Sequence, residues 1–179
     1  MKPRGPLMTE HRLIEKMLAL AEREVAAMTE ESYDPIFIDT VVDFIKTYAD
    51  RTHHGKEENI LFADLGKKKL DDSDARVMGE LIEEHRQARI KVAWIVELNE
   101  RNKHGERGTA GEIKEIVSWL AAFYPVHIKK EDDRFFPDTE KYFDEREMDG
   151  MLERFWDFDK KMIHVKYREL FESLSATKG

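Results

Sequence analysis

The sequence predicts an all-α protein, an up-down-up-down four-helix bundle with an additional C-terminal helix. Apolar residues recur with helical spacing through five segments, and short clusters of turn residues separate these segments. No window alternates apolar and polar residues as a strand would. Hydrophobic residues make up 41% of the chain and charged residues 38%, as expected for amphipathic helices around one core. The 179 residues suit a single domain, with the bundle over about 6–137 and the extra helix over about 144–174.

The first two helices are predicted from their apolar spacing and from the turn between them. Helix one is expected over about residues 6–28. Asp34 can cap helix two, and Pro35 suits its first position because proline has no N–H to leave unpaired there. Helix two is expected to end near Leu65, before Gly66.

The remaining helices are bounded by capping signals and by proline. Helix three is predicted over about residues 73–102, and a loop with two glycines follows it. Thr109 and a glutamate three residues later have the spacing of a capping box for helix four, which is expected to stop before Pro137. Asp144 and Glu147 have the same spacing at the start of the fifth helix.

Charge and composition exclude several classes of function and location. A formal net charge of −8 argues against nucleic acid as a partner. The chain has no cysteine, so any metal site must use His, Asp or Glu. The N-terminal segment lacks the apolar core of a signal peptide, and no stretch reaches the roughly 18 apolar residues of a membrane span. We therefore expect a cytoplasmic protein with no membrane partner. The aromatic residues of the fifth helix, among them Phe155, Phe158 and Tyr167, predict a homodimer through that helix.

Histidines and glutamates recur in the two halves of the chain at one fixed offset. The pairs His11 and His85, His53 and His127, and Glu57 and Glu131 are each 74 positions apart. In an antiparallel helix pair, residues equidistant from the turn lie at the same level. Successive histidines of this set are equidistant from residues 32, 69 and 106, each of which falls in a predicted turn. The four histidines are therefore expected in one layer of the bundle, with each glutamate one turn beyond a histidine.

This layer predicts a metal site. Buried imidazoles and carboxylates must be paired, hydrated or bound to metal, because an unpartnered buried charge costs on the order of several kcal/mol. Imidazole with carboxylate suits iron, manganese, cobalt or zinc, whereas calcium and magnesium prefer oxygen ligands. Iron is the first choice, with manganese or zinc as alternatives. The predicted ligands are His11, His53, Glu57, His85, His127 and Glu131.

Three neighbouring residues are alternative ligands. His54 and Glu58 are also four positions apart, as His53 and Glu57 are, but His54 corresponds to Ile128 in the repeat. His54 is therefore an additional ligand or a residue that supports one. Asp132 is the alternative to Glu131, which it follows directly.

The order and spacing of four segments resemble the hemerythrin-like, HHE cation-binding family. These segments are "EHRLIE", "HHGKEENILF", "EEHRQAR" and "HIKKEDDRFFP", which together run from Glu10 to Pro137. The resemblance implies a four-helix bundle that holds two iron ions in a non-haem Fe–O–Fe type centre. It further implies terminal ligands at the four repeated histidines and bridging ligands at Glu57 and Glu131.

One departure from the family bears on function. Oxygen-carrying members have a second histidine one turn after the helix-three ligand, where this chain has Arg89. With four histidines, two bridging carboxylates and a bridging solvent molecule, two of the twelve coordination positions of the metal pair stay open, where a fifth histidine would leave one. We therefore expect a centre that binds, senses or scavenges oxygen, peroxide or nitric oxide, or senses iron. A di-iron oxidase or peroxide-consuming enzyme is the alternative, although the sequence identifies no catalytic residue and no substrate pocket.

Overall fold

Five helices follow one another in the computed structural model, which describes the backbone of residues 2–176 and the side chains of residues 2–163 and 166. They are α1 (Arg4–Ala27), α2 (35–65), α3 (Asp72–Lys103), α4 (109–139) and α5 (Glu145–Ala176). Helix α1 packs against α2 and α4, and α3 packs against the same two helices. No strand occurs in residues 2–176, so the predicted all-α bundle is confirmed. Within that range no helix is long and apolar enough to cross a membrane.

The helix ends follow most of the predicted capping signals. The Asp34 carboxylate accepts hydrogen bonds from two backbone N–H groups at the start of α2, with Pro35 at the first helical position. Asp144 and Glu147 exchange the two hydrogen bonds of a capping box at 2.8 and 3.0 Å. The box predicted at Thr109 was wrong: Gly108 caps α4 at a φ of 90°, and the Thr109 hydroxyl instead accepts a hydrogen bond from Asn102.

Two helices of the bundle contain wide turns that the sequence did not predict. In α2, residues Ile45–His54 and Glu57–Phe62 form π-helix, with hydrogen bonds between residues five apart, and in α4 Glu131–Phe135 does the same. Helix four was expected to stop before Pro137, and this was wrong because α4 continues to Thr139. Pro137 lies in the first turn of the α-helical segment that follows the π-helix.

The core consists of two apolar clusters with a polar layer between them. One cluster lies toward the turns at residues 28–34 and 104–108 and includes Ile14, Ile38, Leu98 and Ile113. The other lies at the opposite end and joins Leu7, Phe62, Leu81 and Phe135 to the start of α5. Histidines and carboxylates fill the level between the clusters, so they are sealed from water on both sides along the bundle axis.

Helix α5 covers α2 and completes the second cluster. Met151 and Phe155 are fully buried in it, whereas Trp156 and Ile163 are 60% and 58% exposed. The half-buried Phe158 lies against Gly55, which stands between His54 and the following lysine on α2. The side chain of Tyr167 lies outside the described residues, and association through α5 stays a prediction.

Gly55→Ala should destabilise the protein, because a Cβ at this position would lie 2.8 and 3.0 Å from two ring carbons of Phe158. Overpacking of this kind costs about 1–3 kcal/mol, and the helix propensity gained over glycine returns up to about 1 kcal/mol. We expect a net loss of about 1 kcal/mol in the free energy of unfolding, measured by urea denaturation. Gly79→Ala is the control, because its Cβ would meet nothing within 4 Å. If Gly55→Ala instead increased the free energy of unfolding, the packing of Phe158 would not require a glycine at this position.

Candidate metal centre

The structure brings all six predicted site residues into one buried layer. Each is at most 2% exposed. Glu57 Oε1 lies 3.3 Å from His53 Nε2. Glu131 Oε2 lies 3.2 Å from His11 Nε2 and 3.3 Å from His127 Nε2. The pairs His53 and Glu57, and His127 and Glu131, are each four residues apart in sequence and have the same 3.3 Å contact in the structure.

The layer divides into two groups of potential ligands. The first contains His11, His53, Glu57 and Glu131, and the second contains His54, His85 and His127. Within each group the ligand atoms lie within 4.8 Å of one another. The second oxygens of the two glutamates reach toward the second group: Glu57 Oε2 is 3.5 Å and Glu131 Oε1 is 3.8 Å from His85 Nε2. Both carboxylates thus lie between the groups, as bridging ligands must.

His54, which was predicted as an additional ligand or a supporting residue, is a fifth histidine of this layer. Its ring is 2% exposed and stacks on the ring of His85 with centroids 3.8 Å apart. Successive side chains of an α-helix diverge by about 100°. The wider turn of the π-helix reduces this divergence, so His53 and His54 both face the interior. The 74-residue repeat did not predict the inward position of His54, because Ile128 occupies the equivalent position in α4.

Each of the five histidines has a carboxylate on the side of its ring that faces away from the centre. The Nδ1 to carboxylate distances are 2.7 Å for His11 with Asp132, 2.8 Å for His53 with Glu10, 2.8 Å for His85 with Glu58, 2.8 Å for His127 with Glu84, and 3.4 Å for His54 with Asp50. A neutral histidine that donates from Nδ1 carries its lone pair on Nε2. Glu58 and Asp132, the alternative ligands, therefore orient histidines and do not face the centre.

The atoms that face the centre have no hydrogen-bond partner among the described residues. They are the Nε2 atoms of all five histidines and both carboxylate oxygens of Glu57 and Glu131. Buried polar atoms left unpaired cost about 1–3 kcal/mol each. Cations between the two groups would satisfy all of these atoms at once, and histidines oriented by carboxylates are typical of metal sites. The donor set thus fits two metal ions.

The pKa values of the histidines depend on the same carboxylates. Burial lowers the pKa of His11, but the hydrogen bond with Asp132 and the negative charges of Glu131 and Glu57 outweigh it and raise the pKa to about 10. In the same way, burial lowers the pKa of His85, and the glutamates around it raise the pKa to about 9. Burial holds the pKa of His54 well below its ordinary value, and the positive charge of neighbouring histidines acts in the same direction. Protons and cations therefore compete for His11 and His85, while His54 stays neutral.

Arg89 has a defined place beside the centre. Its guanidinium donates hydrogen bonds of 2.7 Å to Asp50 and to Glu58, the carboxylates that orient His54 and His85. Arg89, which stands where the oxygen-carrying members have a second histidine, thus holds the carboxylates beside His54 and His85 in place. Two lysines that are also 74 positions apart stabilise outward carboxylates too. Lys56 pairs with Glu10, which orients His53, and Lys130 pairs with Glu84, which orients His127.

A buried layer of imidazoles and carboxylates between four helices is the arrangement of a protein that holds cations inside a helical bundle. The model of one family, described as the hemerythrin HHE cation binding domain, matches residues 4–138, and the chain belongs to this family. The matched residues contain α1 to α3 and nearly all of α4, and α5 lies beyond them. A search of curated proteins and a search of solved structures each returned no match.

Proposed function

We propose that this protein holds two iron ions and uses them to bind, sense or scavenge oxygen, peroxide or nitric oxide, or to sense iron. The observation that supports the proposal best is the set of inward-facing Nε2 and carboxylate atoms without hydrogen-bond partners. One ion would take His11 and His53, the other would take His54, His85 and His127, and Glu57 and Glu131 would bridge them. A cytoplasmic location and a small diatomic or peroxide ligand belong to the same proposal.

The donor set favours iron among the metals that the family's cation-binding description allows. Five imidazoles and two carboxylates suit iron, with manganese or zinc as alternatives, and they do not suit calcium or magnesium. The five carboxylates that contact the histidine Nδ1 atoms, here called the outer carboxylates, hold the rings in place and make the imidazoles stronger electron donors to a metal. Because the ligands are buried, the protein also keeps bulk water from the centre.

The number of histidines bears on the choice between binding and catalysis. Iron ions would supply electrons and an open coordination position to a small molecule. If His54 also bound, one such position would stay open on the metal pair, where four histidines would leave two. A single position suits binding or sensing. The alternative, a di-iron oxidase or peroxide-consuming enzyme, is favoured by a pocket of about 390 Å³ that reaches His54.

Metal analysis of protein purified in air without chelator tests this function. We expect about two iron ions per chain by mass spectrometry and absorption bands of an iron pair in the near ultraviolet. The His53→Ala, His127→Ala double variant is the control and should lose the metal and the bands. Two manganese or zinc ions would replace iron in the proposal. Metal content unchanged in the double variant, or no metal in either protein, would refute it.

A further inference from the structure

A pocket between α2 and α3 ends at the candidate metal centre. It has a volume of about 390 Å³, and its lining includes His54 and Tyr124. These two side chains are each 2% exposed, and their rings stack with centroids 6.2 Å apart. The pocket therefore leads from the surface to the face of a candidate metal ligand.

The volume of the pocket exceeds what a diatomic molecule needs. A water molecule occupies about 30 Å³ in the liquid, so the pocket has room for about a dozen groups of that size. Pockets of about 300–1,000 Å³ bind organic molecules, with apolar walls and a few polar groups that fix their orientation. An oxygen or nitric oxide molecule would fill only a small part of this space.

The lining determines the chemistry of the ligand. Its walls are mostly apolar and include Val92 and Ala93 of α3. Among the polar groups, Asp50 accepts a 2.7 Å hydrogen bond from Arg89, which also donates one to Glu58 outside the lining, so the charge of Arg89 is already paired. Lys46 also lines the pocket, is exposed, and has no carboxylate partner among the side chains that the structure describes. The pocket thus combines mostly apolar walls with one exposed cation, Lys46, that has no ion-pair partner among the described side chains.

We propose that this pocket binds a small monocarboxylate with an apolar body of about ten non-hydrogen atoms. Its carboxylate would pair with Lys46, and its apolar end would lie against Val92 and the ring of His54. Binding in this pocket does not require a metal ion. An effect of the bound ligand on the metal centre, in contrast, rests on the proposed function. The ligand is therefore an organic substrate or effector of the centre and is distinct from the small molecule that would bind the metals.

Binding of octanoate tests the proposal, measured by titration calorimetry on the protein as purified, with its metal content determined. We expect the natural chain to bind octanoate more tightly than octylammonium by about three- to tenfold, as a rim charge contributes. The exposed Lys46→Glu variant should reverse this preference. Ala93→Trp should fill the mouth of the pocket and weaken both ligands, whereas Ala26→Trp, an exposed alanine of α1 outside the pocket, should not.

The outcomes separate this proposal from the proposed function. No binding of octanoate at millimolar concentration, or equal affinity in the natural chain and the Ala93→Trp variant, would overturn the pocket proposal even if two irons are present. Binding with the expected preferences in protein that holds no metal would support the pocket and refute the metal function. If the protein holds metal and the pocket binds octanoate, octanoate should shift the absorption bands of the natural chain and leave those of the Ala93→Trp variant unchanged.

Discussion

Replacing Glu131 by glutamine is expected to remove metal from both halves of the centre. Glu131 lies within 3.8 Å of three histidine Nε2 atoms and contacts both ligand groups. A glutamine has nearly the same shape, but it is neutral and cannot bridge two cations. We expect the variant to keep less than one metal ion per chain, measured by mass spectrometry, and the natural chain to keep two.

The same variant should melt at a lower temperature. A metal present at about a thousand times its dissociation constant stabilises the folded state by about 4 kcal/mol. In a chain of this size, 1 kcal/mol shifts the melting temperature by about 2–4 °C. The loss of one such ion should therefore lower the melting temperature by roughly 8–16 °C, followed by circular dichroism. Natural protein that is unfolded and refolded with chelator present should show a similar decrease.

Asp133→Asn is the matched control for Glu131→Gln. Asp133 is two positions further along α4, its side chain is 60% exposed, and it pairs with Lys129. Exposed substitutions of this kind change stability by about 0.5 kcal/mol or less, and the metal content should stay at two. If Glu131→Gln also kept two ions, the carboxylate would not be a bridge.

Lys56→Met should destabilise the protein far more than the equivalent substitution in the other half of the repeat. Lys56 is fully buried under α5 and pairs with Glu10 and, at 2.7 Å, with Asp159. Removing one partner of a buried ion pair costs about 3–5 kcal/mol, because the remaining charge stays uncompensated. We expect a loss of about 3 kcal/mol, since both carboxylates keep some contact with water.

Lys130→Met is the comparison that the repeat provides. Lys130 pairs with Glu84 as Lys56 pairs with Glu10, but its side chain is 23% exposed. Such a pair contributes about 0–1 kcal/mol. Urea denaturation of both variants at the same metal concentration measures the difference. Equal losses in the two variants would mean that coverage by α5 does not determine the strength of the ion pair.

The fold could be predicted because each of its determinants is local. Helical spacing, the cap at Asp34 and the box at Asp144 act within a few residues, and the structure confirms them. The course of α4 past Pro137 was not predictable in this way. It depends on the π-helix before the proline, and a π-helix has no signature in apolar spacing.

The candidate site was predictable as far as the repeat extends. The 74-residue offset identifies His11, His53, His85 and His127, because equal spacing places them at one level of the bundle. His54 breaks the repeat, and its inward position depends on the wide turns of α2. The outer carboxylates were not predicted as a set. One signal was available: Glu10 and Glu84 each precede a repeated histidine and are themselves 74 positions apart.

The burial of the whole layer has a consequence for the rate at which metal is exchanged. No candidate ligand atom of Glu57, Glu131 or the five histidines lies on the surface, and these residues come from four different helices. A cation therefore cannot leave by stepwise replacement with water while the bundle stays closed. Loading and release require the helices to separate, and such openings are rare in a stable bundle. The centre should thus keep the metal it acquires during folding, and its occupancy records the metal supply at synthesis.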